Sequence, residues 1–552
     1  MTALRAPNLF ILHSCLVLAF AGCSGDPTGA SPASGGAPSS SRGTSTSGGA
    51  MQTGGTSPTT GGTGGSTGGT NPTTGGMAGG GPTGGSGGAT GGSGGSTGGT
   101  GATGGDMPGG APNGGGGGMP PSGGSGGDVE GGMGGGPPQQ GTCTIEAKAR
   151  LSEKVATVGI VEWSTDLQGL TGARIEFGLD TSYGLTAPVD LDEPNYKTLL
   201  LGMKPSKTYN FRIVARAGET ECASDNYTIE TGPRATGLPQ IEITTQQPDK
   251  LSRGFIITAQ YQGTNQGGLA YILDQDGDFV WWYFVQGGTQ FTRAVMSRDG
   301  KYMWAAKANV PVMSAEVYRI AMDGSSVEDL STAFANQNHD LAVLPDDSVA
   351  FIAYGQNGCD DIKLWKPDGT VSTIINSKQI ANNAAMCHCN ALEYSPSDQT
   401  IVFSELNSDR YAKVKLNGEV VWVLGKGGDF SGEGASWDNQ HGLHVLGEDR
   451  LLIFNNGPGP QTKSRAIEIL LDLSGKTATR VWDYQGTAYN QIMGDVQRLP
   501  NGNTLVTYSN VGLMEEVDPD KNLVQQIEFA LGGAFGYADK VPSLYPQSSS
   551  TQ

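Results

Sequence analysis

The chain has 552 residues, a formal net charge of −19 and 90 glycines, most of them crowded into its first quarter. So acidic a balance argues against nucleic acid or an anionic membrane surface as the partner, but not against a small anionic substrate, which feels local charges far more than distant screened ones. The glycine-rich quarter has too little apolar surface to fold, which leaves about 410 residues, ample for one large domain and one small one.

The N-terminus, "MTALRAPNLFILHSCLVLAFAGCSG", places Arg5 before an apolar run from Leu9 to Ala21, too short to span a membrane but suited to an export signal. Small residues lead into Cys23, and "FAGC" resembles the bacterial lipoprotein processing site, with Phe20 where Leu is more usual. That resemblance implies a signal peptide over 1–22, a lipidated Cys23 thiol and tethering to a bacterial membrane, and Ser24 points by analogy to the outer membrane. An ordinary secretory signal is the alternative; both export the chain. Residues 23–141 read as a disordered Gly/Ser/Thr linker with a root-mean-square span of roughly 60 Å. Export lets disulfides persist. Of seven cysteines, Cys15 leaves with the signal and Cys23 carries lipid, so Cys143, Cys222, Cys359, Cys387 and Cys389 remain, with one unpaired under any scheme.

Residues 142–233 show short alternating stretches, "VATVGIVEWST", "ARIEFGL" and "TYNFRIVAR", between turn-formers, the pattern of a β-sandwich. Trp163 lies in an early strand. The run "LGMKPSKTYNFRIVA" resembles the fibronectin type III hallmark, with Tyr209 at the tyrosine-corner position. Cys143 and Cys222 lie near the two ends of this unit and are expected to form a disulfide. No histidine, acid or nucleophile clusters here, which suits a spacer or docking module.

Residues 234–548 repeat. A strand, a polar turn and a second strand recur as "YILDQDGDFVWW", "VYRIAMDGSSVEDL", "IKLWKPDGTVSTI", "AKVKLNGEVVWVL", "IEILLDLSGKTATRVW" and "EEVDPDKNLVQQI", with turns at Gly277, Gly324, Gly369, Gly418, Gly475 and Lys521. Hairpins such as "LPDDSVAFIA", "YSPSDQTIVFS" and "LGEDRLLIFNN" interleave with them. Six such units predict an all-β, six-bladed β-propeller behind the Ig/fibronectin III-like sandwich. "DQDGDF" opens like a calcium loop but lacks the later ligands, so a turn is expected there.

The hairpins align three histidines. His339 stands five residues before Leu344, His441 five before Leu446, and His388 six before Tyr394. Equivalent positions in a propeller are related by rotation about its axis, so His339, His388 and His441 are expected to meet there. His444, three residues past His441, should face the other way by strand parity. Parity likewise turns Cys387 and Cys389 away from His388, so "CHC" is not expected to bind metal, and either could pair with Cys359. Three imidazoles suit two chemistries. They can hold zinc or copper with an open position, or one can attack an electrophile while the others handle protons or donate hydrogen bonds.

The ordered motifs "HDL…MCHCNALEY…TIVFSELNS…GEVVWVLG…QHGLHVL…LLIFNNG…MGDVQRLPNGNTLVTYS" resemble the bacterial arylsulfotransferases over about 300 residues. That family is exported, six-bladed and cofactor-independent. It moves a sulfuryl group from a phenolic sulfate ester to a phenol acceptor through a sulfohistidine. The resemblance implies that His441 carries the sulfuryl group, that His339 and His388 bind sulfonate oxygens or handle protons, and that Asn390 contacts substrate. The family's arginine, in a "SxR" pattern, is replaced by Leu406 in "VFSELNSDR"; Arg410 is the charge near enough to stand in for it. A lipoprotein propeller that binds ligands or partners without turnover, and a histidine-metal hydrolase, are the alternative functions.

Overall fold

The computed structural model describes residues 139–261, 264–307, 315–381, 386–530 and 534–546. The expected signal peptide, Cys23 and nearly all of the linker lie outside the described residues. Within them the protein is all-β: every helical element is a single 3₁₀ turn, and no helix is long and apolar enough to cross a membrane.

Residues 139–230 form two sheets, one of three strands (Ile145–Leu151, Gly159–Thr165, Thr198–Leu200) and one of six centred on Thr208–Ala217. Alternation drives the pairing. Val161 and Trp163 point inward from the first sheet, Ile175, Phe177, Phe211 and Ile213 from the second, and together they make one core. The Tyr209 hydroxyl accepts the Lys204 N–H at 2.9 Å. Cys143 and Cys222 are joined in a disulfide.

The following residues form six antiparallel sheets. Four are built from consecutive strands, beginning with Phe291–Met296, Gln337–Val343, Cys389–Ser395 and Gln440–Gly447. The other two interlock the ends of the repeat region. Ile241–Thr245 pairs with Leu523–Phe529 as the outermost strand of the last sheet, and Asp539–Val541 pairs with Phe255–Ala259 in the first. The outer hairpins turn through left-handed backbone at Gly277, Gly324, Gly369 and Gly418, where glycine costs least, and at Lys476 and Lys521 in the last two sheets.

"DQDGDF" is the outer turn of the first sheet, and its carboxylates have a partner. Lys204 of the sandwich places Nζ 3.0, 2.8 and 2.8 Å from Asp274, Asp276 and Asp278. Burial opposes the charge, but the three carboxylates hold the ammonium protonated above its ordinary range. The motif is therefore a latch between the sandwich and the first sheet.

Candidate functional site

The three histidines come from the first strands of three consecutive sheets, or the residue just before one, all at the same strand end. His339 and His388 meet edge to face, with ring centroids 4.7 Å apart and planes at 75°. His441 lies near enough for its charge to disfavour protonation of His339, and that of His388 to disfavour its own.

Local irregularity aims these rings. Pairing slips between Gln337 and Leu341, between Cys389 and Ala391, and between Gln440 and Leu443, so each first strand carries extra residues beside its histidine. Bulges of this kind redirect side chains and break strict alternation. His339 itself has φ 51°, left-handed backbone that a non-glycine residue adopts only when its surroundings impose it. The extra residue after Gln440 also corrects the parity expected of His444. Rather than facing away from the axis, it lines a cavity of about 60 Å³ with Arg293, Asp340, Glu393, Asp495 and Asp539. Gly442 of "QHG" is needed because the next sheet comes so close: a Cβ there would lie 2.6 Å from Asp495 Cα.

Main-chain clamps hold the cluster. The His388 N–H donates to Glu405 at 2.8 Å, and the Cys389 N–H donates to Asp360 at 2.6 Å. The His388 carbonyl accepts the Leu406 N–H at 2.9 Å. Thr292 and Tyr411 hydroxyls donate to the carbonyls of His339 and His441. Cys359 is bonded to Cys387, immediately before His388, and Cys389 is a buried free thiol.

The rings themselves have asparagine partners. His339 Nδ1 lies 2.8 Å from Asn338 Oδ1, and His441 Nδ1 lies 2.7 Å from Asn456 Oδ1. Burial lowers the pKa of all three imidazoles. His441 falls to about 3, burial outweighing the bond to Asn456 and His388 adding to the shift. All three are neutral near pH 7. Among the described residues, no three or more His, Cys, Asp or Glu side chains are grouped as a metal ion would need.

Asn390 and Arg410 are placed differently from what the motifs imply. Asn390 is 0 % exposed, and its Nδ2 donates to Gln440 O at 2.7 Å. As folded it presents no surface to a ligand and ties the first strands of neighbouring sheets together beside His441. The Arg410 guanidinium donates to three main-chain carbonyls, those of Lys426 at 2.7 Å, Gly427 at 2.8 Å and Ile380. It is buried and serves as a loop clamp rather than as a free charge. Arg410→Met is accordingly expected to lower folding stability by about 1–3 kcal/mol, the scale of orphaned buried acceptors, and to leave the KM for a sulfate ester unchanged. Thermal melts beside donor titrations check both.

Asn338, Asp360, Glu405 and Asn456 were not singled out by sequence. A signal existed for two of them. Each second strand ends on a polar or bulky residue after an apolar run, namely Lys307, Tyr354, Glu405 and Asn455, and Asn456 follows the last. Superposing the hairpins on these ends, rather than on the histidines alone, draws attention to Glu405 and Asn456.

Solved structures similar to this chain include a Bacteroides caccae protein of unknown function (13% identity, covering 53% of this chain and 100% of that one, TM-score 0.38). TolB from Acinetobacter baumannii gives 12% identity, 62% and 81% coverage and a TM-score of 0.37. A streptogramin B lyase gives 11% identity, 70% and 98% coverage and a TM-score of 0.31. No curated protein matches the chain. Residues 375–532, a span that holds His388, Asn390, Arg410 and His441 but not His339, match the model of the family described as Arylsulfotransferase (ASST).

Proposed function

We propose that the six sheets form a six-bladed β-propeller that transfers a sulfuryl group from a phenolic sulfate ester to a phenol, with His441 as the covalent carrier and no nucleotide donor. An Ig/fibronectin III-like module and a glycine-rich linker tether it to a bacterial membrane through lipidated Cys23. The observation that carries the reaction is the set of three neutral imidazoles, brought together from three consecutive sheets. In the first half-reaction the lone pair of His441 Nε2 forms an N–S bond as the S–O(aryl) bond breaks. That electron pair leaves on the phenolate, which takes a proton. In the second half the acceptor phenol forms an O–S bond, the N–S pair returns to Nε2, and the phenol proton passes to a base. His339 and His388, beside the carrier, are placed to move those protons and to donate to the sulfonate oxygens. A phenol, with a pKa of about 10, is a workable leaving group.

Neutral His441 sets the pH dependence. Because protonating it requires acidity near its pKa of about 3, the base is already competent well below neutrality. kcat/KM is expected to stay level from pH 8 down to about pH 5, without the fall near pH 6.5 that an exposed histidine produces. A pH–rate profile with an acid limb centred near 6.5 contradicts this.

The test of the reaction is acceptor-dependent release of phenol from a chromogenic aryl sulfate by the full-length chain, without added metal. Silence across several donors and acceptors supports a propeller that binds ligands without turnover. The committed guanidinium of Arg410 and the apolar Leu406 against the His388 carbonyl favour that second function.

A further inference from the structure

Asn456 is wholly buried, and every polar atom of its side chain is assigned. Nδ2 donates to the carbonyls of Asn490 at 2.8 Å and Met493 at 2.9 Å, which uses both amide hydrogens. Its main chain is pinned as well, with N–H bonded to Asn439 O at 2.8 Å and C=O accepting from Ser464 Oγ at 3.0 Å. An amide whose two N–H bonds both face carbonyls cannot be flipped without setting oxygen against oxygen. The atom facing His441 Nδ1 at 2.7 Å is therefore an acceptor, and the ring nitrogen must bring the proton.

We propose that Asn456 is a positioning residue for the transfer: it holds His441 as the Nδ1–H tautomer, leaving the Nε2 lone pair as nucleophile, and keeps the sulfonated ring cationic because an amide cannot accept the Nδ1 proton. This rests on the sulfohistidine route proposed above. When Nε2 bonds to sulfur the ring becomes an imidazolium that still carries Nδ1–H. An amide oxygen is far too weak a base to remove that proton. The N–S bond then breaks to release neutral imidazole, a good leaving group, rather than an imidazolide anion. A carboxylate in the same place would fix the same tautomer but neutralise the ring, strengthening the N–S bond and stalling the second half-reaction. Asparagine at this position thus serves both halves of a double transfer.

Two measurements on the full-length chain test this. The first labels histidine with ¹⁵N and assigns His441 by comparison with His441→Ala. The expected spectrum shows protonated Nδ1 and bare Nε2; an Nε2–H ring, or a mixture of tautomers, overturns the proposal without recourse to any Asn456 variant. The second is Asn456→Asp, followed by kinetics and intact-protein mass. Expected are a kcat lower by about 10–100-fold, the scale seen when partners behind a functional imidazole are altered, and a donor KM within about twofold. The acid limb of the pH profile moves toward neutrality, and a sulfonated protein persists after donor is removed. Asn456→Asp that turns over at the wild-type rate, with an unmoved acid limb and no lasting adduct, overturns the claim about leaving-group activation. A chain that shows the Nδ1–H tautomer yet transfers no sulfuryl group sinks the sulfohistidine route while upholding the tautomer that Asn456 imposes.

Discussion

Replacing His441 by alanine is expected to lower acceptor-dependent sulfuryl transfer by at least about 1,000-fold, the loss seen when a covalent nucleophile is removed. His339, with Nδ1 facing Asn338, and His388, clamped through its main chain to Glu405 and Leu406, keep their own supports in this variant. His441 is only 5 % exposed, so truncation leaves a small void and an unpaired Asn456 Oδ1, and near-UV circular dichroism must show an intact fold. The sharper control is His444→Gln, three residues along the same strand. His444 is also neutral but only partly buried, and it accepts the Arg498 N–H at 2.8 Å and lines the separate cavity around Arg293. It should transfer within about threefold of wild type, since ordinary substitutions away from a site act mainly on stability. Equal losses in both variants point to a damaged fold; retention of transfer by folded His441→Ala removes the histidine from the chemistry.

The histidine register was legible because sheet repeats impose it. A hairpin of fixed geometry returns each sheet to the same strand end, so His339 and His441 stand at one spacing from their leucines. His388 is one residue off because its strand slips between Cys389 and Ala391, later than the other two. The parity argument failed at His444 for the same reason: alternation of period two holds only while pairing is regular, and no residue type in "QHGLHV" announces the extra residue. Arg410 shows another limit. A cation near a motif reads alike whether it faces ligand or carbonyl oxygens, and only the 3₁₀ turn Leu406–Ser408 and the loop at Lys426 and Gly427 decide that it is a clamp. The closing strand Asp539–Val541 was equally hidden. Three residues carry almost no pattern, and their pairing with Phe255–Ala259 is fixed by the closed set of sheets rather than by local sequence.

Breaking the Cys359–Cys387 bond, by Cys359→Ser with Cys387→Ser or by a dithiol reductant, is expected to cost both stability and rate. The bond closes a loop with a sequence separation of 28, for which restriction of the unfolded chain contributes about 3–4 kcal/mol. The effect on rate follows from what comes next in the chain. Cys387 is tied by the disulfide and by its N–H to Gly358 O at 2.8 Å, His388 by Glu405, and Cys389 by Asp360, so three consecutive residues are anchored from three directions. Loosening the first weakens the support on the N-terminal side of His388, and a histidine displaced by a fraction of an ångström loses its alignment with the sulfonate; a fall in kcat of about 10–100-fold is expected. Cys389 does not repair the break. Burial, with Asp360 and Glu405 nearby, raises its thiol pKa well above the ordinary range, so it lacks the thiolate that exchange requires. Kinetics and urea melts of the oxidised chain, the reduced chain and the double serine variant separate the two effects. Lower stability with unchanged kcat makes the disulfide a staple alone. A parallel fall in both in the double variant, with an equal fall in kcat in the reduced chain, whose melt also registers the loss of Cys143–Cys222, makes it the outermost support of His388 and ties activity to an oxidising compartment.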